Sequence, residues 1–134
     1  MKKIATIFIL CCMFASMFSI CAFAQDPYGV MPCYDNISYS EIEFNFNGNK
    51  GSVSGIATKM TGVTSLEGVL DVYEENNGQW VHVGSWSNST TRRSLSVTGE
   101  FDAVSNRRYK AIFTVVAYGT TTETVTVEAY KLCN

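Results

Sequence analysis

The chain has 134 residues, 46% hydrophobic and 16% charged, with 10 basic against 12 acidic side chains and a net charge of −2. Beyond the first three residues its only basic pairs are Arg92-Arg93 and Arg107-Arg108, each read as a solvated strand end. Nucleic acid is excluded as a partner, because it demands a basic patch that this composition does not supply.

Residues 1–24 have the make-up of a secretory leader. Lys2 and Lys3 form the positive start, residues 4–20 are apolar apart from Thr6, Ser16 and Ser19, and Ala22-Phe23-Ala24 puts small side chains at a cleavage site before Gln25. The apolar run is near the lower length limit for a membrane span and the cleavage site follows it directly, so no membrane segment is expected after processing. Cleavage removes Cys11, Cys12, Cys21 and two lysines, which moves the net charge from −2 to −4. A secreted chain of residues 25–134 is expected, of a size for one domain.

Residues 25–38 read as an N-terminal segment that holds both mature prolines, Pro27 and Pro32, and Cys33. From residue 39 to the end the pattern is strand after strand. Residues 39–46 alternate, with Ile42, Phe44 and Phe46 on one face and Glu41, Glu43 and Asn45 on the other. A turn at 47–51 leads into a second strand over 52–60. A third covers 64–75, and Asn76-Asn77-Gly78 then turns the chain into a fourth over 79–86, because Asn and Gly accept positive φ. A polar loop over 87–91 precedes the fifth, 92–101. The last two, 107–118 and 121–132, flank a short turn around Gly119-Thr120. No window has helical period. The fold class expected is an all-β, seven-stranded antiparallel sandwich over residues 39–134.

Short turns make hairpins of strands one and two, three and four, and six and seven. The polar links at 61–63, 87–91 and 102–106 are then the crossings between sheets. Strands one, two and five in one sheet and four, three, six and seven in the other would resemble fibronectin type III and immunoglobulin-like domains. The sequence Val104-x4-Tyr109-x-Ala111-x-Phe113-x-Val115-x-Ala117 is similar to the sixth strand of that superfamily. The resemblance implies that Tyr109 is a corner tyrosine, its hydroxyl bonding loop backbone while its ring packs inward. Leader, size, Val53-x-Gly55-x-Ala57, Gly78-x-Trp80-x2-Val83-x2-Trp86 and Arg108-Tyr109-Lys110 also resemble small secreted proteins of clostridia-type bacteria, which are uncharacterised and imply no active site.

Cys33 and Cys133, one near each end, are the two cysteines of the exported chain, and an oxidising compartment favours their pairing. A loop of about 100 residues closed in this way is worth roughly 4–5 kcal/mol in the chain-entropy model. Seven antiparallel strands oppose the bridge, since the first begins and the last ends at opposite poles. The six residues between Cys33 and the first strand reach roughly 20 Å, so closure needs the segment to double back.

Catalysis has little to stand on. His82 is the only histidine, no Gly-x-Ser-x-Gly motif is present, and Glu74-Glu75 at a hairpin are explained by solvation. Metal ligands are scattered, without EF-hand spacing, so neither a metal nor a cofactor is expected. Binding is the better reading. Strict alternation puts Trp80, His82 and Trp86 on one face of the fourth strand and Val81 and Val83 on the other. If the valines face the core, the tryptophans form an exposed row that Tyr73 extends, suited to stacking on sugar rings; if not, both tryptophans are core. Threonines from Thr120 to Thr126 also suit an edge that pairs with another chain. The expectation is a secreted, non-enzymatic module with a polysaccharide or a cell-surface protein as partner; a small secreted hydrolase is the remaining alternative.

Overall fold

A computed structural model describes residues 34–134; the leader, its cleavage site and Cys33 lie outside the described residues. Seven strands follow one another: β1 Ile37–Asn47, β2 Lys50–Lys59, β3 Ser65–Asn76, β4 Gln79–Thr90, β5 Ser94–Asp102, β6 Arg108–Tyr118 and β7 Thr122–Leu132. They form two antiparallel sheets, β1-β2-β5 and β4-β3-β6-β7. The three hairpins and three crossings are those expected from the turn chemistry. In the β3–β4 turn, Asn77 and Gly78 both have positive φ (52° and 78°), the backbone that a two-residue hairpin turn requires.

Some boundaries differ. The polar stretch after Trp86 is strand, not loop: Ser87, Asn88, Ser89 and Thr90 pair with Val69, Gly68, Glu67 and Leu66. Polarity is no obstacle there, because β4 is an edge strand with most of this stretch in water. β1 also begins earlier than expected, at Ile37, which is 2% exposed and part of the core.

The core is set by β6 and filled through glycines. Tyr109, Ala111, Phe113, Val115 and Ala117 all point between the sheets and are fully buried. The Phe113 ring lies over Gly55 of the opposite sheet and Gly68 of its own; a Cβ on Gly55 would stand 2.7 Å from that ring. Trp86 likewise lies over Gly99 of β5, where a Cβ would land inside the indole. Phe101 covers its cross-strand partner Gly51. Tyr109 packs between Phe46 and Phe101, with ring centroids 5.4 and 5.2 Å away. The Val104 N–H donates to its hydroxyl oxygen (2.9 Å), and the hydroxyl donates to Glu74 Oε2 (3.0 Å). Burial holds this phenol above its ordinary value, so it remains a donor. The polar group of a buried ring is thus satisfied at both ends, and the β5–β6 loop is fixed to the core.

The two outer seams are fastened by side chains. Glu123 accepts from the backbone N–H groups of Asp35 (3.0 Å) and Asn36 (2.9 Å), and Lys131 donates to the Phe44 carbonyl (3.1 Å). β1 and β7 therefore run side by side in the same direction. At the other seam, Asn88 of β4 donates to the Ser96 carbonyl of β5 (2.9 Å).

This arrangement bears on the expected bridge. Cys133 is buried, with its N–H on the Arg107 carbonyl and its carbonyl on the Asn106 N–H. It stands ten residues beyond Glu123, about 33 Å along the strand. Asp35 is held at Glu123, at the opposite pole of the sandwich from Cys133. The expected Cys33–Cys133 bridge involves a residue outside the described ones, and no disulfide occurs among the described residues.

Two outcomes follow. Gly99→Ala is expected to lower unfolding free energy by about 1–3 kcal/mol, the range for overpacking a filled core, in urea melts beside the wild type. Cys133 is expected to resist iodoacetamide in the native protein and to take it up in guanidinium without reductant, as read by peptide mass; continued resistance in guanidinium would show that the thiol is bonded.

Candidate functional site

The face of β4-β3-β6-β7 that points away from the core carries two different ends. Cross-strand register aligns Ser87, Val69, Thr114 and Thr126 in one row and His82, Tyr73, Lys110 and Tyr130 in another. The first row is small and uncharged, with the Thr114 and Thr126 hydroxyls 3.4 Å apart, and beyond it the Tyr118 hydroxyl donates to Glu67 (3.0 Å). The second is aromatic and charged.

A β-bulge decides which tryptophan takes part. Val72 pairs with Gly84 and Tyr73 with His82, so Val83 has no partner and parity reverses there. Before the bulge, Trp80 and His82 stand opposite Glu75 and Tyr73 and point outward. After it, Trp86 stands opposite the fully buried Leu70 and turns inward onto Gly99, its own ring half-buried. The expectation that Trp80, His82 and Trp86 share one face is therefore corrected. One inserted residue separates them, and Trp86 is a packing residue.

On the outer face the Trp80 ring reaches towards β7 and meets Tyr130 at 5.9 Å between centroids, while Tyr73 meets His82 at 5.3 Å. The Lys110 ammonium lies 5.0 Å from the centroids of both Tyr73 and Trp80, within cation–π range. Its neighbours are paired with one another: His82 with Asp71 (3.5 Å), Arg108 with Glu75 (3.4 Å), and the Tyr130 hydroxyl with Glu128 (2.8 Å). That hydrogen bond raises the Tyr130 phenol above its usual value and keeps it protonated. Among the described residues Lys110 makes no ion pair. Tyr130 is 53% exposed, and Trp80 and Tyr73 are half-buried.

Tyr73 and Trp80 are thus brought together, and Trp86 is not. Tyr109 lies on the core side, at the Glu74 end of the sandwich. Sequence reasoning missed Lys110 and Tyr130. A turn of two residues at 119–120 would put Ala129 opposite Lys110, whereas the turn observed holds three and puts Tyr130 there. The threonine-rich β7 is an edge strand, but its edge lies along β1 and is fastened at Glu123 and Lys131.

Elsewhere the surface offers shallow depressions. One of about 580 Å³ is lined by Asp35, Lys59, Met60 and Arg93; its Lys59 ammonium already donates to the carbonyls of Thr64 and Thr91. Among the described residues no group of three or more His, Cys, Asp or Glu side chains is placed to hold a metal ion.

No family model matches the chain, and no curated protein does. The resemblance to small secreted clostridial proteins gains nothing from either. Among solved structures, the chain is similar to CsgH of R. palustris at 18% identity and a TM-score of 0.45, covering 68% of this chain and 87% of that one. It is also similar to the sporulation control protein Spo0M of Bacillus subtilis (7%, 0.42, 71% and 49%) and to a protein from Archaeoglobus fulgidus (9%, 0.42, 73% and 98%).

The two tryptophans should differ in solution. In acrylamide titrations, Trp86→Phe, which keeps Trp80, is expected to be quenched more steeply than Trp80→Phe, which keeps Trp86 packed on Gly99. Equal slopes from folded variants would contradict the reversal of parity at Val83.

Proposed function

We propose that this chain is an exported, non-enzymatic binding module, and that it holds a polysaccharide on the aromatic end of its four-stranded sheet. The observation that carries this reading is the gathering of Tyr73, Trp80 and Tyr130 around Lys110 on an otherwise Ser/Thr-rich face. Such rings give sugar C–H faces a flat apolar surface, and their hydroxyl and indole N–H groups supply hydrogen bonds at the rim. A flat strand face suits an extended polymer better than a small molecule, which needs concavity.

Export rests on the leader, with Lys2, Lys3, the apolar run and Ala22-Phe23-Ala24. The two-sheet order and the Tyr109 corner support a fibronectin type III-like ancestry for the scaffold. The non-enzymatic part is supported by His82. It pairs with Asp71 on an open face, and among the described residues no hydroxyl or thiol hydrogen-bonds to it, so a nucleophile–base pair is missing. A protein partner recruited by β7 edge pairing is less favoured, because that edge is already fastened to β1.

The test is binding of the purified protein to a polysaccharide panel by affinity electrophoresis. Trp80→Ala and Tyr130→Ala are each expected to weaken binding about tenfold, the scale of a buried aromatic contact. Val69→Ala and Thr126→Ala, on the other end of the same face, are expected to leave it within about twofold. A folded Trp80→Ala protein that binds as the wild type does would remove this face from the site.

A further inference from the structure

Within that binding face, and resting on the reading of it as a glycan surface, the charges are unevenly satisfied. His82, Arg108, Glu75, Asp71 and Glu128 each have a partner, and Lys110 has only the rings of Tyr73 and Trp80. The two rings flank the ammonium itself and leave its donors without an acceptor among the described residues. An ammonium fixed between stacking surfaces, with hydrogen-bonding capacity to spare, is a recognition element for an anion carried on a flat ring.

We infer that the ligand is an acidic polysaccharide, and that Lys110 reads the carboxylate of a uronic acid residue whose ring stacks on Trp80 or Tyr130. The same surroundings choose among anions. Glu75 and Glu128 border the patch, and the mature chain carries a net −4 once Lys2 and Lys3 are removed from the −2 total. Densely sulfated or phosphate-bearing polymers bring more negative charge than one unpaired cation can offset beside the carboxylates of Asp71, Glu75 and Glu128. A uronate brings one charge per ring, on the same unit that supplies the stacking face. Nucleic acid is disfavoured on the same count, since it needs several phosphate contacts.

The experiment compares polygalacturonate with its carboxyl-reduced form, and includes alginate and dextran sulfate, using wild type, Lys110→Gln and Trp80→Ala, each shown to be folded by circular dichroism. Wild type is expected to bind the acidic polymer about tenfold more tightly than the reduced one, the scale of a hydrogen bond to a charged group. Lys110→Gln should erase that preference while retaining the binding seen with the reduced polymer, and Trp80→Ala should weaken both. Equal affinity for acidic and reduced forms, a preference for dextran sulfate, or a preference that survives Lys110→Gln would overturn the carboxylate assignment and leave the aromatic face intact. Absence of binding to any of these polymers by the folded wild type would overturn the assignment and the glycan reading together.

Discussion

The sandwich depends on aromatic rings that occupy the space where glycines have no side chain. Phe113 from one sheet lies over Gly55 of the other, and Trp86 over Gly99, so the sheets are held together at two points by rings seated almost on backbone. Glycine is a weak strand former and loses more chain entropy than other residues on folding. Here that cost is offset by the area each ring buries and by the close contact that a Cβ would forbid. Leu66, Leu70, Leu95 and Val97 fill the remainder of the layer, and each is at most 1–2% exposed. The arrangement also governs the outer surface: once Trp86 is committed to Gly99, β4 needs a bulge to keep Trp80 outward.

Much of this was legible in the residues. Alternation in β1, β5 and β6 gave the faces directly, and Asn77-Gly78 announced a hairpin because few residues adopt the backbone it needs. The crossing links could be told from the hairpins by turn chemistry and polarity but not by length, since the β4–β5 crossing and the β6–β7 turn each hold three residues. What was not legible about the outer face shares a physical cause: each feature depended on one residue of register. Val83 could be counted as part of a regular strand as easily as a bulge, since Val is at home in both. The turn before β7 could hold two residues or three, and only three bring Tyr130 to Lys110. Period-two patterns are unforgiving in this respect, because a slip of one changes the face of every residue beyond it.

The cysteines make a related point about distance. Composition and compartment argue for pairing, and an even count adds to the case. None of that senses where an odd number of antiparallel strands leaves its ends. Glu123 fixes the chain entering β1 beside the start of β7, with Cys133 at the far pole and Cys33 outside the described residues.

The seam between β1 and β7 has a mechanical meaning. The chain enters the sandwich at one pole and leaves it at the other, and the first and last strands lie side by side in the same direction. A pull on the two ends of the domain would load that seam lengthwise, so that the strands would have to slide past each other rather than peel apart one contact at a time. The fasteners along it are side chains, Glu123 at one end and Lys131 at the other, with no backbone ladder between them. Tension along the strands would therefore fall on Glu123 and Lys131 together, while the four-stranded sheet lies parallel to the line of force.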